Sequence, residues 1–90
     1  MTTDRVQIVN GCGLHARPAS LFVKKAKEFE SEIEVRNASK DKPYVSAKSV
    51  IRLLTAEICQ GEWMEMRASG PDEEEAVRQL KALVSGGFGE

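Results

Sequence analysis

Ninety residues, 41% of them hydrophobic, suffice for one core on one side of a sheet and are too few for two, so a single domain over residues 1–90 is expected. The opening MTTDRVQIVN has no basic patch leading into an apolar run, no stretch approaches bilayer-spanning length, and Cys12 and Cys59 are too few for a disulfide framework and not spaced as a structural zinc site, which predicts a cytoplasmic protein with reduced thiols and no membrane insertion. Net charge is −1 but unevenly placed, with ten basic against six acidic residues in 1–52 and three against eight in 53–90, a polarity that suits orientation on an acidic partner and argues against nucleic acid.

Arg5 to Val9 alternates, setting Val6 and Ile8 on one face, the period of a half-buried strand. A glycine-rich turn at Gly11 and Gly13 follows. From His15 onward Ala19, Phe22, Val23, Ala26 and Phe29 recur at three- and four-residue steps, with Lys24, Lys25, Lys27 and Glu28 opposite; this predicts an amphipathic helix of nearly four turns. Glu32 to Arg36 alternates around Ile33 and Val35, NASKDKP is turn chemistry, and Tyr44 to Ala47 is a short strand that should complete a hairpin. Ser49 to Ala56 reads as a short helix with Ser49 as its N-cap. Gln60 and Gly61 turn the chain into a strand over Glu62 to Ala68, with Met64, Met66 and Ala68 on one face and Trp63 on the other. GPDEEEA opens the last helix, Pro71 in its first turn and the acids at the positive end of the dipole. Its buried stripe is Ala76, Val77, Leu80, Leu83 and Val84, and Gly86 and Gly87 end it. The order β-α-β-β-α-β-α predicts an α+β open-faced sandwich, a four-stranded antiparallel sheet covered on one face by three helices.

The chain's only histidine lies in NGCGLHARPAS, residues 10–20. With a helix starting directly after His15, the residues Ala16, Arg17 and Pro18 form the first turn, whose backbone N–H groups have no partner inside the helix. Such a terminus is an anion site. An unprotonated imidazole there presents a lone pair as a nucleophile, Arg17 offers a guanidinium fork matched to phosphate oxygens, and the preceding glycines let the backbone approach whatever binds. The same residues also fit a plain helix cap beside a solvated arginine. Cys12 and His15 would give a metal only two of the four ligands that a closed zinc site needs, so no metal is expected.

GLHARPA, followed by SAKSV, by ASG and by a final GFGE, resembles the HPr family, the histidine-containing phosphocarriers of the bacterial phosphoenolpyruvate-dependent phosphotransferase system, over essentially the whole chain. The resemblance implies the same open-faced sandwich. It implies that His15 takes a phosphoryl group on Nδ1 from Enzyme I and gives it to sugar-specific IIA domains, with Arg17 beside it and no cofactor. Such a protein is a carrier shared by two enzymes, and the chain offers no second lobe, metal constellation or nucleophile–base pair of its own. A monomer is expected.

Opposite the core stripe of the first helix stand Arg17, Ser20, Leu21, Lys24 and Lys27. In the short helix Leu53 can serve the core, but Val50, Ile51 and Leu54 exceed what two turns can hide. Some should form an exposed apolar patch edged by Arg52 and Lys24, a docking surface; the resemblance implies that Enzyme I and the IIA domains meet this face.

Ser49 aligns with the position that HPr kinase/phosphorylase modifies in many Gram-positive members, although Val50, Ile51 and Arg52 depart from the K-S-I-M-G pattern found there. Cys12 is a second departure, since relatives often carry a serine or asparagine that can hydrogen-bond the phosphoryl group. Two rivals stand beside the sugar-branch carrier. The segment GPDEEEAVRQLKALVSGGFGE and the RN after the second strand also resemble the nitrogen-related HPr paralogue of a regulatory phosphorelay. The other rival is a non-catalytic α+β interaction module, which for single-stranded RNA would need more stacking aromatics than three Phe, one Tyr and one Trp.

Overall fold

In the computed structural model, which describes residues 1–11 and 13–89, the chain runs β1 (Thr2–Gln7), α1 (Ala16–Ala26), β2 (Glu32–Asn37), β3 (Val45–Ser46), α2 (Val50–Leu54), β4 (Trp63–Ser69) and α3 (Glu73–Ser85), then a 3-10 turn at Gly87–Gly89. The strands form one sheet in the order β1-β4-β2-β3, every neighbouring pair antiparallel. Register follows from the alternation: Val6 lies opposite Met64, Val35 opposite Met66 and Ile33 opposite Ala68, so all six side chains fall on one face and are buried. The helices cover that face with Ala19, Phe22, Val23, Ala26, Leu53, Ala76, Leu80 and Val84. This is the α+β open-faced sandwich that the element order predicts.

The other face is solvated and charged. Glu65 accepts hydrogen bonds from Arg36 Nε at 2.8 Å, Arg5 Nη2 at 3.0 Å and the Tyr44 hydroxyl at 2.8 Å. Arg36 foremost, then Arg5 and Tyr44, hold its carboxyl down to about 2. Arg67 pairs with Glu34 and lies over the Tyr44 ring, 3.7 Å from its centroid.

Element boundaries shift in ways that packing explains. β1 starts at Thr2 and ends at Gln7, although Ile8 still donates to Glu62 O and accepts from Gly61 N. α1 stops at Ala26, three turns and not nearly four, because Glu28 and Phe29 bond back three residues as the chain turns toward β2; Phe29 enters the core from that turn. β3 shrinks to two residues, with Tyr44 drawn onto the charged face. Pro71 precedes the N-cap of α3 instead of entering its first turn. That cap, Asp72, turns its carboxylate to Ser31 Oγ, Ser31 N and Glu30 N, tying the entrance of α3 to the approach to β2. Gly70 makes the tie possible, since a Cβ there would lie 2.6 Å from Ser31 Oγ. Leu83 is half-buried rather than part of the buried stripe.

Candidate functional site

The loop before α1 is closed on itself and then docked on the far side of the sequence. Asn10 Nδ2 donates to Gly13 O at 2.6 Å, Gly13 N donates to Asn10 O at 3.1 Å, and Leu14 N donates to Ile58 O at 2.8 Å. Leu14 is buried. Gly13 has φ +67°, and a Cβ on it would lie 2.6 Å from Ile58 O and 2.8 Å from the Cα of Cys59. Here the reading of both glycines as room for a ligand needs correction: Gly13 makes room for the protein's own chain, while the space around Gly11 is open. Cys12 lies outside the described residues.

His15 follows as the N-cap of α1, extended at φ −113° and ψ −167°, exposed, its side chain making no capping bond. Its carbonyl accepts from Ala19 N at 2.8 Å, the first bond of the helix. The N–H groups of Ala16 and Arg17 thus have no helical acceptor, and Pro18, buried, has none to offer. The ring therefore stands exposed, unpartnered among the described residues, at the positive end of a three-turn helix, with the exposed Arg17 two residues on. The structure brings together the four residues that the sequence grouped here.

A cleft of about 270 Å³ opens beside the ring, lined by Leu14, His15, Leu54, Glu57, Ile58 and Cys59. Glu57, Ile58 and Cys59 escape the sequence reading, because their link to His15 is a contact between distant segments and no local pattern marks it. Glu57 holds φ +50°, an uncommon conformation for a residue with a side chain. Lys42 pairs with its carboxylate and lowers its pKa. Cys59 is exposed and free. Among the described residues no group of three or more His, Cys, Asp or Glu side chains could hold a metal ion.

α1 packs on α2. On their outer sides Ser20, Lys24, Lys27 and Arg52 are exposed, Leu21 and Val50 are half-buried against the core, and Leu53 is fully inside. Ile51 and Leu54 are 78% and 41% exposed. Arg17, Lys24, Lys27 and Arg52 have no salt-bridge partner among the described residues. Two apolar side chains thus stand in water among uncompensated cations. Ser49, half-buried, caps α2 by accepting from Arg52 N at 3.3 Å.

No helix of the described residues is long and apolar enough to cross a membrane. The family described as "PTS HPr component phosphorylation site" matches residues 2–86. The chain is 44% identical over 84 residues to the phosphocarrier protein HPr of Haemophilus influenzae, covering 93% of this chain and 95% of that one. It is 38% identical over 88 residues to a multiphosphoryl transfer protein of Vibrio cholerae, covering 98% of this chain and 22% of that one. The crystal structure of HPr-C-His from Thermoanaerobacter tengcongensis superposes with a TM-score of 0.93 at 42% identity, covering 100% of this chain and 98% of the other. With the fold, the matched span and these identities in agreement, the chain belongs to the HPr family of phosphocarriers of the phosphotransferase system.

Proposed function

We propose that His15 is the residue that carries the phosphoryl group, accepting it from phospho-Enzyme I on Nδ1 and passing it to IIA domains of the sugar branch. The observation that carries this reading is the exposed imidazole at the start of α1, without a hydrogen-bond partner among the described residues, beside two N–H groups without helical acceptors. In the transfer, the ring lone pair attacks phosphorus in line, the new N–P bond forms as the donor's bond to phosphorus breaks, and the phosphoryl oxygens turn toward Ala16 N, Arg17 N and the Arg17 guanidinium. A helix terminus stabilises an anion by roughly 0.3 to 2 kcal/mol and a charged hydrogen bond by about 1.5 to 3. These terms hold the group without trapping it. About 1.4 kcal/mol shifts an equilibrium tenfold, so a tighter cage would spoil the onward step. A cytoplasmic carrier that is a substrate of two enzymes needs no general base of its own.

Incubation with phosphoenolpyruvate and Enzyme I should label the wild type with acid-labile phosphate and leave His15→Ala unlabelled; label on the variant would sink the assignment. Offering the labelled protein to IIA domains of the sugar and nitrogen-related branches decides between them by which is phosphorylated. The docking face in this reading is Ser20, Leu21, Lys24 and Lys27 of α1 with Val50, Ile51, Arg52 and Leu54 of α2. Ser49 is the candidate for regulation by HPr kinase/phosphorylase with ATP, which would give acid-stable phosphate at the N-cap of α2.

A further inference from the structure

Asn37 ends β2 on the face that carries Ile33 and Val35, where the alternation calls for an apolar side chain, and it is fully buried. A buried amide persists only with its bonds made. Its Nδ2 lies 3.3 Å from Ala56 O, 3.3 Å from Glu57 O and 3.1 Å from Glu62 Oε1, and its Oδ1 accepts from Lys40 N at 3.1 Å. Glu62 Oε1 in turn accepts from Cys59 N at 2.8 Å. The two side chains therefore grip both ends of the segment 56–62. That segment is the floor on which the His15 loop rests: Ile58 O receives Leu14 N, and Gly13 is pressed against Ile58 and Cys59 so closely that no Cβ fits. A shift of the floor passes directly to the backbone one residue before the imidazole.

We propose that Asn37 and Glu62 are positioning residues for phosphoryl transfer, fixing segment 56–62 and through it the place of the His15 ring. This rests on the reading of His15 as the phosphoryl acceptor. Neither residue belongs to α1 or α2, which carry the docking face, so the effect falls on alignment of the reacting atoms and not on docking. In-line transfer is sensitive to such alignment, a misplacement of about 1 Å costing up to roughly a hundredfold.

The test measures kcat and KM of Enzyme I with wild type, Glu62→Ala and Glu62→Gln as substrates, alongside NMR signals of the Leu14 amide and the His15 ring. Glu62 sits at the rim, so its variants keep the fold accessible where Asn37→Ala, which removes a fully buried amide and its bond to the Ala56 carbonyl, risks unfolding. Glu62→Ala should lower kcat about tenfold with KM held within about twofold, and should move both sets of signals. Glu62→Gln, whose Oε1 still accepts from Cys59 N and Asn37 Nδ2, should restore kcat and the signals. A folded Glu62→Ala with wild-type kcat, a rise in KM alone, or Glu62→Gln as impaired as Glu62→Ala would overturn the proposal. His15→Ala separates the two readings: label on it overturns the acceptor assignment, whereas an unlabelled His15→Ala beside an unimpaired Glu62→Ala overturns only the positioning role.

Discussion

At the scale of single residues, the site depends on two side chains that act and one that is absent. Arg17 is exposed and unpaired among the described residues, so its guanidinium is available to phosphoryl oxygens. Arg17→Ala removes a charged hydrogen bond of about 1.5 to 3 kcal/mol, which in the transition state is about a ten- to hundredfold loss of transfer rate in rapid-quench kinetics. Its unfolding curve should not move. Gly13→Ala has the opposite profile. At φ +67° and with Ile58 O at 2.6 Å from the new Cβ, backbone strain alone costs about 1 to 3 kcal/mol, and urea denaturation should show at least that much; a change near zero would mean that the loop does not rest on segment 58–59 in solution. The motif GLHARPA displays His15 and Arg17 to any reader of the sequence. The reason for its first letter is not legible there, because the atoms that forbid a side chain at Gly13 belong to a segment more than forty residues away.

At the scale of elements, α2 shows how much a five-residue helix depends on its surroundings. So short a helix is not stable on its own; it is held by Leu53 in the core and by the Ser49 cap. Ser49→Ala should cost about 1 kcal/mol in chemical denaturation, and an unchanged midpoint would show that the cap contributes nothing. The patch of Ile51 and Leu54, with Lys24, Lys27 and Arg52 around it, belongs to this scale too. Reversing charge at Lys24 and Arg52 together should slow transfer from phospho-Enzyme I, more at 10 mM than at 1 M salt because the Debye length shrinks from about 30 Å to about 3 Å. Equal rates at low salt would remove this face from the docking surface. The sequence showed that α2 carried more apolar residues than it could hide. Which of them face water was decided by how α2 packs on α1 and the core.

At the scale of the whole molecule, the open face of the sheet and the entrance of α3 are held by carboxylates well below their ordinary range. Glu65 is brought to about 2 chiefly by Arg36, and Glu73 to about 2 chiefly by the Thr2 hydroxyl. For a carboxyl whose folded pKa lies below its unfolded one, the stabilisation is complete above the unfolded value, here 4.5, and is lost as pH falls through the folded value. Unfolding free energy should therefore decline between about pH 4.5 and pH 2 and stay level just above that window as far as these groups are concerned. Glu65→Gln should flatten the acid limb while lowering stability near neutrality; an acid limb identical to wild type would show that Glu65 is not paired in solution.

Periodicity, capping and turn chemistry are local properties. They therefore sufficed to establish the order of strands and helices, the core stripe of each apart from Phe29 and Leu83, and the placement of His15 at a helix start. The ends of α1 and β3 and the place of Pro71 were less legible, because Phe29, Tyr44 and Asp72 take partners outside their own elements. Strand order, the docking of Leu14 on Ile58 and the clasp of Asn37 on segment 56–62 were decided only in three dimensions. Each is a pairing between segments far apart in the chain, and a single sequence carries no periodic signal for which distant carbonyl a buried amide will find.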